Sequence, residues 1–179
     1  MKVVAVLGSP HKDGPSTVIA KEVLRGAKDA GHEVVEYFIN DMNVKGCQAC
    51  GTCKSQKVDC ILQDDLLPYW KDLHECGALV VAAPNYCSQV CGPMITYMNR
   101  HYCLIADGVR IHPGIKLVGV FSQGAQERYE AAEKAYDWFL KDFQNRDMVL
   151  HSKIVHTGSD NCSPGSEIML NAYEAGKSL

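Results

Sequence analysis

The feature that most constrains the fold is a regular alternation of short apolar runs with amphipathic helical stretches. Val3–Leu7 is an apolar run rich in β-branched residues, which is typical of a strand buried on both faces of a parallel sheet. A helix is predicted over about 16–30, where Ile19, Val23 and Ala27 form one apolar stripe. Further strands are predicted over about 33–39, 78–83, 116–122 and 149–157, and further helices over about 66–75, 93–102, 127–145 and from 166. Five strands alternating with helices predict an α/β three-layer sandwich, in which helices cover both faces of one parallel sheet.

Some of these elements carry more specific expectations. Asp65 is the expected N-cap of the helix over about 66–75, because it places Pro68 in the first turn, where a missing N–H is harmless. The segment 84–91 is expected to be a loop. The helix over about 127–145 is expected to bury the side formed by Ala131, Ala135, Trp138 and Phe139.

Length and charge exclude several classes of protein. The 179 residues suit a single domain over 1–179. The net charge is −3 and no run of Lys and Arg stands out, which argues against a nucleic-acid partner. No apolar stretch approaches the ~20 residues that a membrane span requires. The N-terminal run is interrupted by Gly8, Ser9 and Pro10 too early for a signal peptide, so the expected location is the cytoplasm.

Four cysteines lie close together in a segment over about 40–63 that shows no clear periodicity and is predicted to be a long loop. Their spacing is C-x2-C-x2-C-x6-C, formed by Cys47, Cys50, Cys53 and Cys60. Similar spacing recurs in proteins that hold iron–sulfur clusters through thiolates. Four thiolates also suit tetrahedral zinc, and free thiols or disulfides without any inorganic centre are a third possibility. The spacing alone therefore predicts metal or redox chemistry and leaves its kind open.

Three loops follow the carboxyl ends of predicted strands, where open parallel sheets bind their ligands. The loop over 8–17 opens a helix and contains Ser9, Ser16 and Thr17, so its amides and hydroxyls suit a phosphate, with charge from His11 or Lys12. The loop over 83–88 offers Tyr86 and the backbone around Asn85 to a flat ring, and the loop over 121–125 offers close backbone approach at Gly124. Read one by one, these segments are also consistent with ordinary turns.

Taken together, the three loops resemble the FMN site of the flavodoxin-like NADPH-dependent FMN reductase family. Gly8-Ser9-Pro10, Gly14 and Ser16 match its first motif, and Pro84-Asn85-Tyr86 matches its P-x-Y segment. The departures are His11 for the usual Arg, Pro15 for the usual Asn, and Asn99-Arg100 where Asp-Arg is common. The four-cysteine loop is similar to that of the iron–sulfur flavoprotein branch of this family.

The resemblance implies the sheet order 2-1-3-4-5, an FMN cofactor, a 4Fe-4S cluster on Cys47, Cys50, Cys53 and Cys60, and a homodimer or homotetramer. It implies no catalytic acid or base. The implied cofactor-binding residues are Ser9, Pro10, His11, Gly14, Ser16, Thr17, Val18, Pro84, Asn85, Tyr86, Cys87, Ser88, Ser122, Gln123 and Gly124.

The function expected from this pattern is electron transfer between a 4Fe-4S cluster and FMN, with NAD(P)H or a small redox protein such as a ferredoxin as partner. The competing hypothesis is a cluster-free NAD(P)H-dependent FMN or quinone reductase. A third hypothesis, from another class, is a non-catalytic binding module stabilised by zinc on the same fold.

Overall fold

The computed structural model of the chain describes residues 1–158 and 162–179. Its sheet runs in the order β2-β1-β3-β5-β6, and all of these neighbours pair in parallel. The short strand β4 pairs antiparallel with the end of β3. The strands are β1 (Lys2–Leu7), β2 (Glu33–Phe38), β3 (Cys76–Tyr86), β4 (Gln89–Val90), β5 (Lys116–Gln123) and β6 (Val149–Thr157). Without the added β4, this is the predicted order 2-1-3-4-5, so the flavodoxin-like three-layer fold is confirmed.

Helices cover both faces of the sheet. They are α1 (Pro15–Asp29), α2 (Thr52–Ser55), α3 (Leu67–Glu75), α4 (Gly92–Arg100), α5 (Glu130–Gln144) and α6 (Glu167–Lys177). Alternate side chains of β1 enter two separate cores, because successive residues of a strand point to opposite faces. Val3, Ala5 and Leu7 pack with α1 and α6. Val4 and Val6 pack with α3, α4 and α5. None of the helices in the described ranges is long and apolar enough to cross a lipid bilayer.

The predicted buried side of α5 is partly wrong. Ala135 and Phe139 are buried as expected, but Ala131 is exposed and 56% of Trp138 remains accessible. The stripe that faces the core consists of Ala132, Ala135, Tyr136, Phe139, Leu140 and Phe143. Each of these lies three or four residues from a neighbour in the stripe, whereas Ala131 and Trp138 lie about one step to the other side of the helix.

Two local predictions are also wrong. Asp65 does not cap α3: its carboxylate accepts a hydrogen bond from the Asn43 N–H at 2.7 Å, while Asp64 Oδ1 accepts from the Leu66 N–H at 3.2 Å. The segment 84–91 is not simply a loop, because β3 continues to Tyr86 and turns back into β4. The two turn residues, Cys87 and Ser88, both have positive φ, as a two-residue hairpin of this twist requires.

Candidate functional site

A cavity of about 220 Å³ opens at the carboxyl edge of the sheet, which we call the sheet-edge cavity. It brings together all three of the predicted loops. Its lining includes Ser9, His11, Gly14, Ser16, Pro84, Asn85, Tyr86, Ser122, Gln123 and Gly124, with Pro15 and Gly158 in addition. Gly158 follows β6, where no motif was recognised in the sequence. Five predicted residues do not line the cavity: Pro10, Thr17, Val18, Cys87 and Ser88.

The loop from β1 to α1 presents a helix N-terminus to this cavity. Gly14 is the N-cap of α1, and Ser16 and Thr17 occupy its first turn, where backbone N–H groups have no partner within the helix. Ser16 is 1% exposed, and its Oγ has no hydrogen-bond partner among the residues that the structure describes. By contrast, the Thr17 hydroxyl donates to the His11 carbonyl at 3.1 Å, so it holds the loop rather than a ligand. An orphaned buried hydroxyl beside a helix N-terminus fits an anionic group such as phosphate.

Asn85 offers a second orphaned donor to the same cavity. Its Oδ1 accepts a hydrogen bond from the Tyr129 hydroxyl at 3.0 Å. Its Nδ2 is buried and has no partner within the described parts of the chain. Tyr129 lies far along the sequence and carried no signal, so the orientation of this amide was not predictable. The amide is placed to donate to the edge of a bound ring.

Other wall residues are already occupied by contacts within the protein. The Gln123 side chain donates to the Glu127 carbonyl at 2.8 Å and accepts from the Tyr136 hydroxyl at 3.1 Å. The Gln123 amide is therefore held by two contacts within the protein. Tyr86, at the hairpin, is 48% exposed and lies at the rim, where a flat ring can stack against it.

The four motif cysteines line a second, narrow cavity, which we call the cysteine cavity. Positive φ values at Ala49 and Gly51 turn the chain sharply before the short helix α2, and this turn brings the cysteines round to one space. Cys47 and Cys50 are exposed, Cys53 is buried and Cys60 is intermediate. All four are free thiols. A set of four thiols around one space is the donor set that iron–sulfur clusters use.

The thiols of the cysteine cavity differ in their acidity. Hydrogen bonds from the backbone and side chain of Thr52 lower the pKa of Cys50, which favours the thiolate that binds metals. A fifth cysteine, Cys103, also lines the cavity, although it lies outside the motif. Burial raises the pKa of Cys103 to about 12, so this thiol stays protonated near neutral pH. The sequence did not single out Cys103.

The wall of the cysteine cavity also contains Arg100, from the last turn of α4. Its Nε donates to Cys60 Sγ at 3.1 Å, and its Nη1 donates to Asp64 at 2.5 Å and to the Lys45 carbonyl at 2.9 Å. The side chains of Arg100 and Asp64 are 0% and 2% exposed. Burial disfavours both charges, yet their hydrogen bond raises the pKa of Arg100 and lowers the pKa of Asp64.

The cysteines are not drawn together around a point. Within residues 1–158 and 162–179, no three His, Cys, Asp or Glu side chains are grouped to hold a single metal ion. A tetrahedral zinc site needs four sulfurs about 2.3 Å from one ion. The four cysteines therefore line one cavity without being positioned around a single ion.

Helix α4 connects the two cavities. At its start, Cys91 Sγ donates to the Gly8 carbonyl at 3.3 Å, beside the loop of the sheet-edge cavity. At its end, Arg100 contacts Cys60 in the cysteine cavity. A helix of nine residues is about 13 Å long. The two candidate sites are separate, with no lining residue in common, but they lie only about one short helix apart.

Comparison with known sequences gives consistent matches. The family model described as NADPH-dependent FMN reductase matches residues 1–152. An iron-sulfur flavoprotein of Archaeoglobus fulgidus is 32% identical over 100 residues, which cover 56% of this chain and 45% of that protein. An iron-sulfur flavoprotein of Methanosarcina thermophila is 26% identical over 175 residues, 93% of this chain and 85% of that protein. The chain thus spans about half the length of the first relative and most of the second.

A solved structure shares the fold. The NAD(P)H:quinone oxidoreductase from Methanothermobacter marburgensis superposes with a TM-score of 0.75 over 100% of this chain and 96% of that chain. The two sequences are 19% identical, so this similarity concerns the architecture alone.

Proposed function

The chain belongs to the NADPH-dependent FMN reductase family, on the branch of the iron–sulfur flavoproteins, and we propose that it passes electrons between FMN and a four-cysteine 4Fe-4S centre. Members of this family are flavin-dependent oxidoreductases, as the resemblance in the sequence implied. The observation that carries the proposal is the placement of Cys47, Cys50, Cys53 and Cys60 around one cavity, about one helix from a cavity with flavin-like loops.

The sheet-edge cavity would hold the FMN. Ser16 Oγ and the N–H groups of the first turn of α1 would bind the phosphate, and the Asn85 Nδ2 would donate to the edge of the ring. Tyr86 would cover part of the ring face. These residues bind and orient, and none of them needs to move a proton. Pro15 removes one N–H from the phosphate loop, so the hydroxyl of Ser16 is more important here than in a loop with Asn at that position.

The cysteine cavity would hold the cluster through its four motif thiolates. A cluster supplies single-electron transfer, and FMN couples one-electron to two-electron steps. The protein positions the two centres and sets their potentials through burial and hydrogen bonds to sulfur. The contact from Arg100 Nε to Cys60 Sγ is one such bond.

Metal and flavin content test this proposal directly. We expect protein purified without oxygen to contain one FMN per chain, with iron and acid-labile sulfide in equal amounts of about four each. Aerobic purification is the matched control and should lower iron and sulfide without lowering FMN. Full flavin content with no iron in the anaerobic protein would contradict the proposal.

The second candidate is a cluster-free NAD(P)H-dependent FMN or quinone reductase. It is favoured by the absence, in the described ranges, of any His, Cys, Asp and Glu group placed to hold a metal ion. In this case NAD(P)H would reduce the flavin directly. Anaerobic mixing with NADPH, NADH or a reduced ferredoxin, followed by the loss of flavin absorbance, distinguishes the electron donors. Fast bleaching by NAD(P)H in iron-free protein would favour this candidate.

We also propose that the chain forms a homodimer or homotetramer. The family resemblance implies this assembly, and large apolar side chains that a partner copy could cover remain exposed at separate places on the single chain, among them Trp138 and Leu170. Light scattering coupled to size exclusion measures the mass in solution. A mass equal to one chain of 19.7 kDa would contradict this part of the proposal.

A further inference from the structure

We infer that Arg100 is a positioning residue for the centre held by the four cysteines, and that its positive charge favours the reduced state of that centre. This inference rests on the proposed function, because it presumes that a cluster is bound. Asn99-Arg100 stands where an Asp-Arg pair is common in the family, but the role proposed for Arg100 is drawn from the contacts of its guanidinium group.

The guanidinium group divides its contacts between two sides. Nη1 binds Asp64 and the Lys45 carbonyl, which ties α4 to the chain on either side of the cysteine loop. Nε donates to Cys60 Sγ, a predicted ligand. Nη2 is buried in the cavity wall and has no partner among residues 1–158 and 162–179. The tie to Asp64 and the Lys45 carbonyl occupies Nη1, which leaves Nε for Cys60 and Nη2 open to an acceptor bound in the cavity.

A buried guanidinium nitrogen without a partner is costly. The cavity beside it is lined by thiols that become thiolates when they bind metal. A thiolate-ligated cluster is an anion, and its sulfurs accept hydrogen bonds that set the potential. Bound in this cavity, the cluster would give Nη2 the acceptor that the protein lacks.

The direction of the effect follows from charge. Reduction of the centre adds one electron, supplied by flavin that NAD(P)H has reduced, and forms or breaks no bond. A fixed positive charge close by stabilises the more negative, reduced form. Arg100 should therefore raise the midpoint potential. Asp64, on the far side of the guanidinium, should lower it, and the closer charge dominates.

Three variants of the full chain, purified without oxygen, separate charge from structure. The measurements are iron per chain and the midpoint potential from a redox titration followed by electron paramagnetic resonance. Arg100→Gln should bind iron and show a lower potential, with the reduction equilibrium weakened roughly tenfold, which is about 59 mV for one electron. Arg100→Lys keeps the charge and should stay closer to the wild type. Asp64→Asn should shift the potential upward.

The matched control is Arg25→Gln, an exposed arginine on α1 that bonds to Glu22. Its potential should equal that of the wild type. Opposite shifts for Arg100→Gln and Asp64→Asn support the inference, because a structural role alone would weaken both variants in the same way. If Arg100→Gln binds iron at an unchanged potential, the inference is overturned while the proposed function stands. If wild-type protein holds no iron, both fail together, and the iron assay shows this.

Discussion

Ser16 and Asn85 are the residues on which the flavin assignment depends most. Each has a buried polar atom in the wall of the sheet-edge cavity with no partner in the part of the chain that the structure describes. A buried polar atom without a hydrogen bond costs free energy unless a ligand supplies the missing partner. The two orphaned atoms lie on different loops, so a single ligand that spans both explains them together.

The Ser16 hydroxyl gives a direct test. We expect Ser16→Ala to weaken FMN binding roughly tenfold or more, since a hydrogen bond to a charged group is worth about 1.5–3 kcal/mol. The free energy of unfolding of the apoprotein should stay unchanged, because Ser16 Oγ bonds to nothing described in the protein. Flavin-fluorescence titration and thermal unfolding measure the two quantities.

Thr17 is the matched control for this experiment. Its hydroxyl holds the His11 carbonyl, so Thr17→Val should lower the free energy of unfolding of the apoprotein by about 1 kcal/mol. Equal losses of apoprotein stability in both variants would mean that Ser16 has a structural partner and is not reserved for a ligand.

His101 belongs to a buried polar cluster between α3 and α4. Its Nε2 lies 2.9 Å from the Tyr69 hydroxyl, which in turn lies 2.5 Å from the Tyr97 hydroxyl. Burial, and secondarily the charge of Arg146, lowers the pKa of His101 well below its usual value. The folded protein therefore holds this histidine neutral.

This lowered pKa makes stability depend on pH. Below about pH 6.5, His101 binds a proton in the unfolded chain but stays neutral in the folded protein. The free energy of unfolding should therefore fall as the pH falls, by up to ~1.4 kcal/mol per pH unit. We expect the free energy of unfolding of His101→Phe to change less with pH than that of the wild type between pH 7 and pH 5 (about two pH units across the usual His pKa). Urea unfolding of the apoprotein at a series of pH values measures it.

A wild-type slope in His101→Phe would show that other groups cause the pH dependence.

At the scale of elements, the wrong predictions concern segments whose local pattern was compatible with two different structures. In α5, Ala131, Ala135, Trp138 and Phe139 are spaced for one face, and only the packing against the sheet shows that the buried stripe is centred elsewhere. The hairpin at Cys87 and Ser88 was not predicted either, because neither residue is the Asn or Gly that marks a turn with positive φ. Strands with a continuous apolar run, such as β1, left no such choice.

Neighbouring residues of α5 test its orientation. Trp138→Ala should change the free energy of unfolding by no more than about 0.5 kcal/mol in the isolated chain, since the side chain is 56% exposed. Phe139→Ala should cost about 3–5 kcal/mol, because Phe139 is fully buried against Phe121 and Phe143. Urea unfolding compares the two, and similar costs for both would contradict the orientation of α5.

At the scale of the whole molecule, the two cavities are lined by different residues, and helix α4 runs from one towards the other. No residue lines both cavities. At the start of α4, Cys91 bonds to Gly8, next to Ser9 in the wall of the sheet-edge cavity, and at its end Arg100 lines the cysteine cavity. We therefore expect that either of the two proposed centres can be lost without the other.

This independence predicts the outcome of removing a ligand. Cys50→Ala should abolish cluster absorption and bound iron while FMN stays bound, because Cys50 lines only the cysteine cavity. Cys103→Ala is the matched control: this thiol lines the same cavity but lies outside the four-cysteine motif, so iron should be retained. Loss of FMN along with iron in folded Cys50→Ala protein would contradict the separation of the two sites.

The sequence by itself determined the alternation of strands and helices, the layers and the three loops that meet at the carboxyl edge, while the sheet order was implied by the family resemblance. These follow from the period of the apolar residues and from the way parallel strands gather their ends. The tertiary structure alone decided which polar atoms are left free and what surrounds the cysteines. Arg100 donates a hydrogen bond to Cys60, 40 residues away in the sequence, and Tyr129 donates one to Asn85, 44 residues away. Cys103 lines the cysteine cavity although it lies outside the motif. Contacts of this kind depend on how distant segments pack, and no local pattern records them.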